Sequence, residues 1–146
     1  MKMKEPKLIK AIYLPFDPPT ATAQMKGLRI VNGRAHFYEK ANVSEAKALL
    51  KDALLEFVPD TPIKGPVSLS VTWAFSTTVK KKIAGEYRTT RPDIDNLFKG
   101  LADCMTDLGF WDDDSQIVNL SLRKLWVKPE DAHLSITVSE FVEVEE

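Results

Sequence analysis

Asp93 and Asp95 flank a single residue in the stretch RPDIDNLFKGLADCMTDLGFWDDDSQ, Arg91 to Gln116, and three further aspartates, Asp112, Asp113 and Asp114, close it. Lys99 lies one helical turn beyond Asp95. Carboxylates gathered near one ammonium suit a hard divalent cation such as Mg²⁺, which takes carboxylate and water oxygens and commonly serves phosphate chemistry. If three carboxylates converge, their mutual repulsion raises at least one pKa unless a cation offsets it. A phosphodiester cut by a metal-activated water is the chemistry such a site would perform.

Each residue also has a plainer reading. Asp93 and Asp95 fall where the chain enters a helix, so either could be an N-cap, although two aspartates in D-x-D spacing after Pro92 exceed what a cap requires. Asp112 to Asp114 could be a solvated turn. Lys99 could be an ordinary i,i+4 partner of Asp95, worth about 0.2–0.5 kcal/mol on an exposed helix.

The elements that must position these groups can be read from periodicity. Leu97, Leu101, Cys104, Met105 and Leu108 form the apolar stripe of a helix that Gly109 stops, with Asp95, Lys99 and Asp103 on the other side. Phe110 and Trp111 should anchor the acidic turn in the core. Upstream, Ala46, Leu49, Leu50, Ala53, Leu54 and Phe57 mark an amphipathic helix over Asn42 to Phe57, with Pro59 and Pro62 beyond it.

Val67 to Ser76 alternates apolar and small or polar residues without a break and reads as a strand. Leu8 to Leu14 reads as a short strand ended by the proline-rich FDPPT stretch. Arg29 to Tyr38 carries Asn32-Gly33, the turn signal of a hairpin. Ile117 to Val127 reads as a strand burying Val118, Leu120, Leu122 and Trp126, and Leu134, Ile136 and Val138 alternate in the last strand. Helices interspersed with half-polar strands imply an α/β or α+β fold, a mixed sheet with two main helices packed on one face.

The chain's 146 residues, 44% of them apolar, fit one domain, 1–146. One cysteine, Cys104, rules out an intrachain disulfide and lies on the apolar side of its helix. The amino-terminal residues lack the apolar core of a signal peptide, and no apolar run approaches the ~20 residues of a membrane span, so a cytoplasmic protein without membrane contact is expected. The net charge of −1 conceals a local basic patch: Lys80, Lys81, Lys82, Arg88 and Arg91 precede the acidic site, opposed only by Glu86. That run is either a solvated loop or a grip on nucleic-acid phosphates. His36 and His133 show no zinc-ligand spacing with Cys104, and neither a Walker loop nor a G-x-S-x-G elbow is present.

RPDIDNLFK, Asp103 within the following helix, and GFWDDDSQIV together resemble the signature of the RusA family of Holliday junction resolvases, which runs approximately R-x-D-x-D-N-L-x-K and then G-x-W-x-D-D-x-Q-V. LPFDPPTATAQMKG and the hairpin ending at Tyr38 are similar to the amino-terminal part of phage-type members. The resemblance implies a RusA-like fold and a crossover junction endodeoxyribonuclease that resolves four-way junctions by paired nicks in recombination and repair. Under it, Asp93, Asp95 and Asp114 match the metal-binding aspartates, and Lys99 the essential lysine. Asp113 is a possible substitute for Asp114, because Asp112 adds an acidic residue before the expected pair. Mg²⁺, with Mn²⁺ possible, is the implied cofactor, and branched DNA and a second copy of the chain are the implied partners. The alternative is a module that binds branched DNA without cutting it.

Overall fold

The computed structural model describes residues 2–22, 27–38, 41–80 and 84–145. In chain order the elements are β1 (Lys2–Leu14), β2 (Gly27–Val31), β3 (Arg34–Tyr38), α1 (Ala41–Leu54), β4 (Val67–Ser76), β5 (Ala84–Tyr87), α2 (Ile94–Leu108), β6 (Ile117–Val127) and β7 (His133–Glu145). Short 3-10 turns cover Leu55–Phe57, Asp114–Gln116 and Pro129–Asp131. β1, β7, β4, β6 and β5 lie side by side in one sheet, while β2 and β3 form a separate hairpin. This is the α+β architecture expected, one five-stranded mixed sheet with two helices.

Among the described strand pairs, only β4 and β6 run parallel. A parallel pair cannot be joined by a tight turn, and the crossover between these two strands contains β5 and α2. The acidic segment is thus carried across the sheet by its own connection. In β4 the alternating residues Val67, Leu69, Val71, Trp73 and Phe75 are all buried, and they share one core with Ile12 and Leu14 of β1, Leu134, Ile136 and Val138 of β7, Leu54 of α1, and Leu97, Leu101 and Met105 of α2.

Several boundaries differ from those read in the sequence. β1 begins at Lys2 rather than Leu8, because a continuous antiparallel register with β7 runs from Lys2–Glu145 to Leu14–Leu134, interrupted only between Leu8 and Lys10. Leu49 faces outward, and α1 packs through Val43, Ala46 and Leu54 instead. The β6 expectation needs correction. Val118 is 63% exposed and Leu120 41%, while Leu122 and Trp126 are half-buried. β6 has only four-residue β5 beyond it, and the buried layer centres on β4 and β7. β5 itself lies inside the basic run, where a loop is expected; it pairs with β6 through Ala84–Val127 and Tyr87–Leu125.

The hairpin turn is as expected: Asn32 and Gly33 both take positive φ, 51° and 74°, the pair that matches a two-residue turn to twisted strands. Among the described residues, no helix is long and apolar enough to cross a membrane.

Candidate active site

Asp93 sits at the N-cap of α2 in an extended conformation, and its carbonyl accepts the N–H of Leu97 at 3.1 Å. Its carboxylate makes no capping hydrogen bond. Among the described residues the side chain is thus not spent on the cap, which is the ordinary use of an aspartate at this position. Asp95, in the first turn, is exposed. The two carboxylates share one open groove of about 390 Å³, whose opposite wall is built from Tyr87, Leu122, Arg123 and Lys124 of β5 and β6. Lys99 is exposed one turn further along α2 and has no ion pair among the described residues, so the i,i+4 pairing with Asp95 does not form.

The loop that presents Asp93 is tied down from beneath. Lys124 Nζ donates to the carbonyls of Thr90 at 2.9 Å and Pro92 at 2.8 Å. Burial holds the Lys124 ammonium below its ordinary pKa, as does nearby Arg88, while Asp93 acts in the opposite sense. The Arg91–Pro92 peptide is cis. Arg88 continues the pairing of β5 with β6 through its N–H to the Lys124 carbonyl, 2.9 Å. Its guanidinium lies 4.4 Å from the ring centroids of both Phe75 and Trp126 and donates to the Arg91 carbonyl and to Thr90 Oγ1. Sequence reasoning assigned Arg88 to DNA. The structure commits its side chain to holding the loop, and burial lowers its pKa.

The acidic turn is equally well fixed. Gly109, at φ 94°, caps α2 by donating to the Met105 and Thr106 carbonyls. Phe110 and Trp111 are fully buried, as expected, and the Trp111 indole N–H donates to Thr106 Oγ1 at 2.8 Å. Among the described residues the Gln116 side chain makes four hydrogen bonds. Its amide N–H groups reach the carbonyls of Ile63 (2.8 Å) and Gly65 (2.9 Å), and its Oε1 accepts from the N–H groups of Asp112 (2.8 Å) and Asp113 (2.9 Å). A side-chain amide here does the work of a strand pairing between two loops.

The three aspartates of this turn have different occupations. Asp112 pairs with Lys64, both carboxylate oxygens lying 3.1 Å from Nζ. Asp113 caps the 3-10 turn by accepting from Ser115 N at 3.2 Å, and hydrogen bonds from the Ser115 backbone and from Asp114 hold its carboxyl below the usual range. Asp114 is pushed up, first by its hydrogen bond with Asp113, then by partial desolvation and by the charges of Asp113 and Asp103. Two carboxylates in contact cannot both ionise cheaply without a cation.

Asp114 thus feels the charge of Asp103, two turns down α2 from Asp95. Among the described residues, no group of three or more His, Cys, Asp or Glu side chains is arranged to hold a metal ion, so Asp93, Asp95 and Asp114 do not form a closed cage. Two free carboxylates on one groove remain suitable for Mg²⁺, which usually takes one or two carboxylates and completes its shell with water and substrate phosphates. Of the basic run, Lys80 and Arg91 are exposed, and Lys81 and Lys82 lie outside the described residues.

Lys124 and Gln116 escaped assignment as functional residues. Lys124 did carry a signal: it shares strand parity with Leu122 and Trp126, so a charge interrupts the inward-facing row of β6.

Comparison with known proteins places the chain in a family. Residues 15–139 match the family model described as "Endodeoxyribonuclease RusA". The chain is 38% identical over 129 residues to a protein of Lactococcus phage r1t named "Crossover junction endodeoxyribonuclease rusA", covering 86% of this chain and 93% of that one. It is also 32% identical over 121 residues to the uncharacterized protein YqaN of Bacillus subtilis (strain 168), covering 76% of this chain and 84% of that one. With the aspartate pair, the lysine and the acidic turn all inside the matched region, the chain belongs to the RusA family of endodeoxyribonucleases.

Proposed function

We propose that this protein resolves four-way DNA junctions by paired nicks, as a homodimer dependent on Mg²⁺ or, in its place, Mn²⁺, in DNA recombination and repair. The observation that carries the reading is the pair of aspartates, Asp93 and Asp95, that line one groove at the start of α2, neither of them in an ion pair among the described residues.

Asp93 and Asp95 supply hard oxygen donors at the start of α2. The family pattern makes Asp114 the third ligand, with Asp113 its possible substitute, although here Asp114 is hydrogen-bonded to Asp113 and is not grouped with Asp93 and Asp95 among the described residues. The chemistry a bound divalent cation supplies is polarisation of a phosphoryl oxygen and acidification of the attacking water. Lys99, unpaired and exposed, holds the scissile phosphate and neutralises charge that develops there. Arg91 and Lys80, with Lys81 and Lys82, contact neighbouring phosphates. Two copies about a twofold axis match the approximate twofold symmetry of a four-way junction, which accounts for paired nicks.

A second reading, a module that binds junctions without cutting them, draws on the lack of a closed three-carboxylate group among the described residues. One experiment separates the two. A synthetic four-way junction incubated with the protein and Mg²⁺ should be cut at paired positions, and Asp95→Asn should bind it uncut. Binding without cutting by the unsubstituted protein would establish the second reading.

A further inference from the structure

Asp93 and Arg88 belong to two concavities. One is the groove shared with Asp95. The other, about 430 Å³, lies between the segment after β1 and the start of α2 and is lined by Thr20, Thr22, Arg91, Pro92 and Asn96 as well as Asp93 and Arg88. Its volume falls in the range of small-molecule sites, roughly 300–1,000 Å³.

The lining is chemically specific. Pro92 offers an apolar face. Asn96 carries both donors and acceptors, Arg91 carries donors, and two threonine hydroxyls complete the set. The Arg88 guanidinium is already spent on Thr90 and Arg91. Thr22 is the most telling residue. It is only 7% exposed, yet its hydroxyl has no hydrogen-bond partner among the described residues. Among the described residues no side-chain nitrogen or oxygen that is itself buried lacks a partner, so this hydroxyl keeps some exposure, and Thr22 lines both this cavity and a smaller one of about 30 Å³ beside Val43, Trp73 and Leu101. A threonine hydroxyl at the wall of this cavity can both donate to and accept from a polar group that enters it.

We infer that this cavity receives the base of one deoxynucleotide unstacked from the branch point, with Thr22, Asn96 and Arg91 reading its edge and Pro92 lying against its face. The inference rests on the nuclease reading and adds to it a reason for selecting branched DNA. A phosphate would be opposed by the Asp93 carboxylate in the cavity wall, whereas a neutral base is not. A base paired within a duplex cannot reach a recess of this kind, and extrusion costs least where stacking is already interrupted, as at a junction. Because Asp93 is common to both concavities, a base held in one places its own backbone beside the other.

The test uses the full chain carrying Asp95→Asn, which leaves the junction intact, and four-way junctions with 2-aminopurine at successive positions around the branch point. This analogue brightens when it unstacks. Binding should brighten at least one branch-point position and none in a linear duplex. Thr22→Val in the same background should reduce the affinity for that junction about fivefold, the size of one lost hydrogen bond, and should lower the brightening, while Thr22→Ser restores both. Asn96→Ala, at the half-buried rim, gives a second variant should Thr22→Val fold poorly. Absence of brightening at every position, or brightening unchanged in both variants, would overturn the cavity's assignment. Cutting by the unsubstituted protein is followed in parallel. Cutting without brightening removes the base site alone, whereas brightening without metal-dependent cutting keeps the base site and removes the nuclease reading.

Discussion

Lys124 Nζ lies 2.8 Å from the carbonyl oxygen of Pro92, so a lysine from the middle of β6 supports the residue directly before Asp93. The same ammonium holds the Thr90 carbonyl. A strand on one side of the crossover thereby sets the height of the loop on the other. This relationship makes Lys124 a positioning residue: it works on the backbone of the loop, two bonds of contact away from the groove's carboxylates.

Lys124→Met keeps the stem and removes both hydrogen bonds. We expect a stability loss of about 1–3 kcal/mol, seen in urea unfolding, because the carbonyls it leaves are partly solvated. Junction cutting should fall further, about a hundredfold, with binding nearly unchanged, since misplacing catalytic groups by a fraction of a turn is costly. A loss of binding equal to the loss of cutting would assign Lys124 to DNA instead.

Arg88 sits between Phe75 and Trp126, and only a planar guanidinium can lie against two rings and still donate along its edge. Arg88→Lys preserves the charge but should cost about 1–2 kcal/mol of stability, read as a lower Tm. If Arg88 served DNA alone, the Tm would not move.

Asp113 and Asp114 adjoin, but their substitutions should behave differently. Asp113→Ala removes the cap of the 3-10 turn and should lower the Tm slightly while cutting continues. Asp114→Ala relieves a contact between two carboxylates, so stability should hold while cutting is lost. Cleavage assays with both variants identify the third ligand. Activity lost in Asp113→Ala and kept in Asp114→Ala would exchange their roles.

Gln116→Glu is nearly isosteric but cannot donate to the carbonyls of Ile63 and Gly65. Two carbonyls facing a carboxylate should destabilise the protein by about 2–4 kcal/mol, measured by denaturant unfolding. Recovery of stability at low pH, where the new carboxyl is protonated, is part of the same expectation.

Arg91 lines the rim beside Asp93 and is exposed. If it contacts a phosphate, Arg91→Gln should weaken junction binding across sequences and reduce the slope of log affinity against log salt by about one. An unchanged slope would leave Arg91 to the cavity on its other side.

Local pattern was sufficient for much of this molecule. The unbroken alternation of Val67–Ser76, the stripe Leu97-Leu101-Met105 ended by Gly109, and Asn32-Gly33 are short-range signals, because side-chain period and backbone φ preferences act over a few residues. The D-x-D pair and Lys99 were legible for the same reason: a helix of known pitch places i and i+4 on one face. What Asp112, Asp113 and Asp114 each do depended instead on Lys64, Ser115 and Asp103, one of them dozens of residues away. The exposure of Val118 and Leu120 followed from their strand's place near the sheet edge, which no alternation encodes. The tasks of Arg88 and Lys124 arose only when β5, β6 and the Asp93 loop came together, since a charged side chain is assigned its role by whatever carbonyls and rings the fold brings within reach.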